Sequence, residues 1–190
     1  MQVPKSFLMV SATLICGLCN VKAQTAYTTG MPIQEVSFTD VHIDDHFWAP
    51  RIETNRKVSI PSALKECENN GRFDNFAIAG GLKKGEHRGD FSFDDTDPYK
   101  IIEGASYSLA VSYDKELDLY LDSVINLIAA AQEPDGYLTT CVTNKCTRLS
   151  GWWGTHRWEK INSHELYNCG HLYEAAVAHY RATGKRTLLD

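Results

Sequence analysis

The stretch LDLYLDSVINLIAAA, residues 117–131, decides the fold class. Its apolar side chains recur every three or four residues, which is the spacing of one face of an α-helix. The turn sequence Glu133-Pro134-Asp135-Gly136 follows and ends the predicted helix. The apolar stripe consists of Leu117, Leu121, Val124, Ile128 and Ala131, broadened by Tyr120, Ile125 and Leu127. So wide a stripe predicts a helix that packs against other helices.

The same spacing predicts helices on both sides of this stretch. One covers Arg51–Glu68, with Pro61 marking a break or a helix start and Asn69-Asn70-Gly71 ending it. A second begins at Asp97-Pro98, where Asp97 is the predicted cap and Pro98 needs no hydrogen-bond acceptor.

A third runs from Asn162 to about Thr183 and ends at Gly184. Asn162 and Glu165 have the spacing of a capping box. Weak alternation over Glu35–Ile43 predicts one or two short strands. The pattern is that of a mainly α protein built from helical hairpins, without a tetratricopeptide or ankyrin signature.

The first residues have the features of an export signal. Lys5 precedes an apolar run from Phe7 to Leu18, and Val21-Lys22-Ala23 suits cleavage before Gln24. The run is shorter than the roughly 20 residues of a membrane span. A buried helix, a membrane anchor or a lipid anchor at Cys16 or Cys19 is the alternative. We predict a signal peptide at 1–23, a lead at 24–50, a helical domain at 51–190 and a periplasmic or extracellular location, without a membrane span after cleavage.

Charge argues against a nucleic-acid partner. The formal net charge is -5, and removal of Lys5 and Lys22 with the signal lowers it to -7. An acidic surface repels phosphate backbones, whereas a neutral sugar is unaffected.

Four cysteines follow the predicted signal: Cys67, Cys141, Cys146 and Cys169. They contain no C-x-x-C pair, so the sequence supports neither a zinc ribbon nor a thioredoxin motif. Cys141 and Cys146 could pair after export, and free buried thiols are the alternative.

His164-Glu165 begins like a metalloprotease motif, but Asn168 stands where the second histidine is required. His171 lies seven residues on, about 10 Å along a helix, too far to share one metal with His164. We therefore predict that His164, at a helix start beside a loop rich in tryptophan, hydrogen-bonds a hydroxyl group. The tryptophans are Trp152, Trp153 and Trp158, whose rings suit either sugar faces or loop packing.

Asp94, Asp95 and Asp97 precede a predicted helix. They do not meet the EF-hand calcium pattern. Helix capping explains Asp97, which leaves Asp95 as a candidate for sugar binding.

Several segments together resemble β-L-arabinofuranosidases of glycoside hydrolase families 127 and 146, in order and spacing, over residues 36–190. They are Phe47–Arg51, Gly71–Phe76, Asp95–Lys100, Glu103–Ala105, Ala131–Leu138, Ser163–Tyr167, Gly170–Leu172 and Glu174–Ala178. Pro98 and Ile101 depart from the family pattern.

The resemblance implies part of an (α/α)₆ toroid of helical hairpins that hydrolyses terminal β-L-arabinofuranosides with retention. It also implies a zinc-bound cysteine as nucleophile, held by an E-x-C pair and an adjacent Cys-Cys that are absent from this sequence. Zinc therefore has no predicted ligand here, and Leu188-Leu189-Asp190 is interpreted as the start of a truncated helix.

The resemblance also implies an arabinose-containing oligosaccharide or glycan as the partner. Its predicted binding residues are His164, Asn75, Asp95, Asp97 and Lys100. Two other hypotheses are a sugar-binding half-toroid without activity and another toroid enzyme, such as an unsaturated glucuronyl hydrolase.

Overall fold

The computed structural model describes residues 33–190, except for the side chains of Leu149, Ser150 and Trp152. The predicted signal peptide and the lead up to residue 32 lie outside this range. Residues 36–190 form one compact unit. The helices are α1 (Trp48–Thr54), α2 (Ile60–Asn69), α3 (Arg72–Ala79), α4 (Thr96–Val111), α5 (Lys115–Ala131), α6 (Thr140–Thr143), α7 (Ser150–Trp153) and α8 (Glu165–Thr183). The predicted mainly helical fold is confirmed.

The apolar stripe of α5 is the centre of the core. Leu121, Val124 and Ile128 are buried as predicted, and they meet Phe73 and Phe76 of α3 and the apolar face of α4. α4 packs along α8 on one side and against α2 on the other, while α3 packs against α5. Helices thus lie beside helices that do not follow them directly in the chain. Closure into a toroid stays a prediction.

Helices α1 and α2 are joined by a π-helical turn, Asn55–Ser59. Pro61, near the start of α2, has no N–H, and its ring would clash with the carbonyl group four residues before it in an ordinary α-helix. The wider turn relieves this conflict, so that one helical rod runs from Trp48 to Asn69. Of the two alternatives predicted at Pro61, the structure shows a helix start, because α2 begins at Ile60, and the chain continues into it through the wider turn. Gly71, with φ of 72°, ends the rod as predicted.

The predicted strands over Glu35–Ile43 are wrong. This segment contains only a 3₁₀ turn, Phe38–Asp40, and its other residues have no regular secondary structure and no strand pairing within residues 33–190. A strand needs a partner for its backbone groups. Here the ring of Phe38 instead packs edge-on against Tyr107 of α4, at 5.0 Å between centroids.

Two predicted helix caps are also wrong. The Asp97 carboxylate accepts from Arg72 Nε at 2.9 Å rather than capping α4. Glu165 does not reach back to Asn162, because its carboxylate is bonded to residues of two preceding loops, the one before α6 and the one before α8. The observed side-chain cap belongs to Asp114, which accepts from the backbone of Glu116 and Leu117 at the start of α5.

Among the described residues, no helix has both the length and the apolar content needed to cross a membrane.

Replacing Leu121 with alanine tests the core. Leu121 is 0% exposed, so Leu121→Ala should lower the free energy of unfolding by about 2–5 kcal/mol through lost burial and a residual cavity. Leu119→Ala, at a 57% exposed position of the same helix, should change it by less than about 0.5 kcal/mol. Urea unfolding followed by circular dichroism measures both. Equal losses in the two variants would contradict the assignment of the buried face.

Candidate functional site

Two buried carboxylates hold the loops that surround the site. Glu165, the first residue of α8, is 2% exposed. It accepts hydrogen bonds from the Tyr137 hydroxyl, the Trp158 backbone N–H and the Ser163 hydroxyl. Residues from three positions in the chain thus converge on one anion. A carboxylate excluded from water needs several donors, so this arrangement fixes the loops before α8.

Asp95 ties the loop before α4 to α6. Both of its oxygens are bonded to Thr140, to the backbone N–H at 2.7 Å and to the hydroxyl at 2.5 Å. Burial raises the pKa of the carboxyl to about 6, although the Thr140 bonds act in the opposite direction. The neighbouring Ser92 hydroxyl donates to the Ser163 carbonyl at 2.7 Å, which joins this loop to the start of α8.

His164 occupies a strained backbone position at the start of α8. Its φ of 58° lies in the left-handed region, where residues other than glycine and asparagine are uncommon. Its Nδ1 is bonded to the Asn162 carbonyl oxygen, which can only accept. Nδ1 is therefore the protonated nitrogen, and in the neutral ring Nε2 is a hydrogen-bond acceptor. This is a suitable contact for a sugar hydroxyl.

Four rings from distant parts of the chain form an aromatic cluster: Phe93, Trp153, His164 and Tyr167. The Phe93 centroid lies 4.6 Å from that of His164 and 5.7 Å from that of Trp153. Tyr167 is 6.0 Å from His164 and 6.0 Å from Phe93. All four are partly or fully accessible to solvent. The rings present apolar faces beside a polar imidazole, as sugar-binding surfaces do.

Lys100 reaches this cluster from α4. Its Nζ donates to the Tyr167 hydroxyl at 2.7 Å and lies 5.0 Å from the centre of that ring. Both side chains are exposed. The structure therefore brings together Lys100 and His164, two of the five predicted binding residues, through Tyr167.

The other three predicted binding residues make contacts within the protein. Asn75 is 1% exposed, and its amide group pairs with the backbone N–H and C=O of Arg88 at 2.8 and 2.7 Å. Asp95 is equally enclosed, as described above. Asp97 is partly exposed and paired with Arg72. In this structure Asn75 and Asp95 are buried and position loops through these bonds, and the sugar-binding role of Asn75, Asp95 and Asp97 stays a prediction.

Arg72 is a residue that the motif analysis did not single out. It bridges Asp94 at 3.2 Å and Asp97 at 2.9 Å. Burial raises the pKa of Asp94 despite this cation. Gly89, with φ of 124°, passes close by, and a Cβ there would lie 2.0 Å from an Asp94 oxygen. Phe93 and Tyr167 were also missed; the alternation in Phe91-Ser92-Phe93 and the position of Tyr167 one turn after His164 are the available signals.

Of the predicted tryptophans, Trp153 joins the aromatic cluster and Trp158 does not. Trp158 is exposed and packs edge-on against Tyr137 at 5.6 Å. A cleft of about 410 Å³ opens beside Trp153 and is lined by Cys141, Cys146 and His156 among others. The four cysteines of the described range are free thiols.

Two groups of side chains have spacing that could hold a metal ion in the described part of the chain. Glu103, His171 and Glu174 lie on the α4–α8 surface, and His87, Cys141 and Cys146 lie beside the cleft. Neither contains an E-x-C pair or adjacent cysteines. The residues present therefore do not fit the zinc-thiolate centre that the sequence resemblance implies.

Comparison with known proteins gives a consistent result. The model of the β-L-arabinofuranosidase GH127 catalytic domain matches residues 40–190. A non-reducing end β-L-arabinofuranosidase from Bifidobacterium longum subsp. longum is 42% identical over 118 residues, which are 61% of this chain and 17% of that protein.

Solved structures agree in fold. A GH127 β-arabinofuranosidase superposes with a TM-score of 0.74 at 50% identity, and a GH127 β-L-arabinofuranosidase from Geobacillus stearothermophilus T6 superposes with 0.72 at 39% identity. Each match covers 80% of this chain and 24% of the other. The chain thus spans a quarter or less of the length of these relatives.

Asp95 should make stability depend on pH. An acid whose pKa is raised on folding binds its proton more tightly in the folded state, so stability falls as the pH rises from about 4 to about 6. At about 1.4 kcal/mol per pKa unit, the loss is about 3 kcal/mol. Asp95→Asn lacks this titration, and its free energy of unfolding should gain about that amount relative to the parent over this pH range.

Asp90→Asn, at an exposed carboxylate, is the matched control and should track the parent within about 0.5 kcal/mol. Urea titrations between pH 4 and pH 7 provide the comparison. A difference between Asp95→Asn and the parent that does not vary with pH would rule out Asp95 as the titrating group.

Proposed function

The chain belongs to the GH127 β-L-arabinofuranosidase catalytic-domain family, and from this premise we propose that it supplies part of an exported glycoside hydrolase. The proposed enzyme releases terminal β-L-arabinofuranose from arabinose-containing oligosaccharides and plant-type glycans. Relatives with this activity in their names support the substrate class. Export is supported by the residues of the leading segment, Lys5 followed by Phe7–Leu18 and Ala23.

The observation that carries the proposal is the position of His164 within the aromatic cluster. Its Nδ1 is committed to the Asn162 carbonyl, which leaves Nε2 to accept from a sugar hydroxyl. Phe93 and Trp153 both pack against the imidazole, with centroids at 4.6 and 5.6 Å, and also against each other. A furanose ring carries both C–H faces and hydroxyl groups, so it matches an apolar wall beside one fixed acceptor.

Lys100 and Tyr167 add donors to this surface. The Tyr167 hydroxyl accepts from Lys100, and its own proton is then available to a ligand oxygen. Lys100 keeps two further N–H groups. The site is therefore able to donate to one hydroxyl and accept from another, which suits a neutral polyol.

We assign the chemical step to groups that this chain does not contain. In the centre that the family resemblance implies, zinc held by thiolates would keep a cysteine sulfur ionised as the nucleophile of a retaining reaction. The described residues do not fit that centre, and the chain spans 17% of one relative and 24% of two others. The proposed role of this chain is to bind and orient the terminal sugar.

Replacing His164 tests this role. His164→Asn removes the imidazole and keeps a residue that tolerates the left-handed backbone, whereas alanine would add strain. Loss of one hydrogen bond should weaken binding of methyl β-L-arabinofuranoside roughly threefold to tenfold, with an unchanged melting temperature. Ligand-observed NMR titration of the 190-residue chain measures the affinity.

Leu166→Ala, at an exposed neighbour of His164, is the matched control and should bind as the parent does. Methyl β-D-glucopyranoside should bind less tightly than the arabinofuranoside. Unchanged affinity in His164→Asn would remove His164 from the site. Equal affinity for both sugars would count against an arabinofuranoside substrate.

A further inference from the structure

A buried histidine and two cysteines meet beside the cleft that Trp153 borders. One ring nitrogen of His87 and the Sγ atoms of Cys141 and Cys146 all lie within 4.8 Å of one another. His87 is 9% exposed and Cys141 is 5% exposed, while Cys146 is half-buried. Both cysteines line the cleft of about 410 Å³, which gives an ion a path from solvent.

The imidazole of His87 has no other role in the described structure. Neither of its ring nitrogens has a hydrogen-bond partner within residues 33–190. A buried polar group without a partner is uncommon and indicates a missing ligand, ion or water. The backbone of the next residue, Arg88, is fixed by Asn75, so the ring is held in place. Burial, with Arg148 and Arg72 nearby, lowers the pKa of His87 to about 4 and keeps the ring neutral, which is the form that ligates metals.

The two thiols are brought to the same side by a short turn after α6. The backbone N–H of Cys146 donates to the Cys141 carbonyl at 2.9 Å, and both thiols are free. Burial raises the pKa of the Cys141 thiol, and the Cys146 sulfur raises it further. Without a cation the Cys141 thiol therefore stays protonated, and it is a poor nucleophile.

We propose that His87, Cys141 and Cys146 bind one zinc ion, with the fourth position of a tetrahedral site facing the cleft. Bond lengths of about 2.0–2.3 Å place tetrahedral donors about 3.5–3.8 Å apart. The three donor atoms lie within 4.8 Å of one another, so they need to close by at most about 1.3 Å. Binding displaces one proton from each thiol to solvent, and the two thiolates neutralise the dication. The ion ties the loop that carries His87 to α6 and to the turn that follows α6.

A disulfide between Cys141 and Cys146 is the competing use of the same sulfurs. It would leave both His87 nitrogens without a partner, whereas a metal ion engages one of them. The histidine is therefore the observation that favours a metal site over a disulfide.

Cobalt titration of the reduced, metal-free 190-residue chain tests the proposal. Co²⁺ bound to thiolates gives a sulfur-to-metal charge-transfer band, and we expect one equivalent to saturate it. Cys141→Ser and Cys146→Ser should lose the band. His87→Gln should weaken Co²⁺ binding roughly 100-fold or more, since even loss of a residue that only hydrogen-bonds to a metal ligand costs about 10–100-fold. Cys169→Ser is the matched control and should behave as the parent. Zn²⁺ should displace Co²⁺ and raise the melting temperature of the parent.

Absence of the thiolate band from the reduced parent protein would overturn the proposal. This result does not depend on whether the variants fold. A band that survives in both cysteine variants would place the cobalt elsewhere. A Cys141–Cys146 disulfide found by mass spectrometry in the purified protein, together with no cobalt binding after reduction, would overturn the metal site in favour of the bridge.

Discussion

The buried carboxylate of Glu165 is the interaction on which the candidate site depends. One buried carboxylate accepts hydrogen bonds from Tyr137, Trp158 and Ser163, and so determines where the loops before α6 and α8 lie relative to α8. The backbone then turns into the helix through His164 in the left-handed region. Because the carboxylate needs these donors, the strain at His164 is retained, and its imidazole is directed into the aromatic cluster.

Asp95 is a second buried carboxylate that holds loops together through its hydrogen bonds. It holds Thr140 at the start of α6, while the adjacent Ser92 holds the Ser163 carbonyl. The loops before α4, α6 and α8 therefore form one connected polar layer at one end of the helical core. This polar layer positions three features of the surface: the aromatic cluster, the cleft beside Trp153, and the His87–Cys141–Cys146 group. A sugar-binding surface built on loops needs such support, since loops have few apolar contacts of their own.

Residues of the family motifs fall into two groups, those that are buried inside the protein and those that face the surface of the candidate site. Asn75, Asp95 and Asp97 lie in motif segments of the GH127 resemblance, yet Asn75 and Asp95 are buried and bonded to backbone or side chains nearby. They shape the loops instead of facing solvent. His164 and Lys100 lie in the same kind of segments and do face the surface near Tyr167. Residue identity and spacing could not separate these two groups, because burial depends on what the rest of the chain places over each side chain.

The sequence by itself determined the helical class, the approximate extent of α2, α4, α5 and α8, and the stops at Gly71 and Gly184. These follow from local periodicity and from backbone preferences that act within a few residues. Tertiary structure alone decided that Glu35–Ile43 makes no strand, that Asp97 pairs with Arg72 instead of capping α4, and that Phe93, Trp153 and His164 meet. The physical reason is that a polar or aromatic side chain takes the partner that folding buries beside it, and partners such as Asp95 and Thr140 are 45 residues apart in the chain.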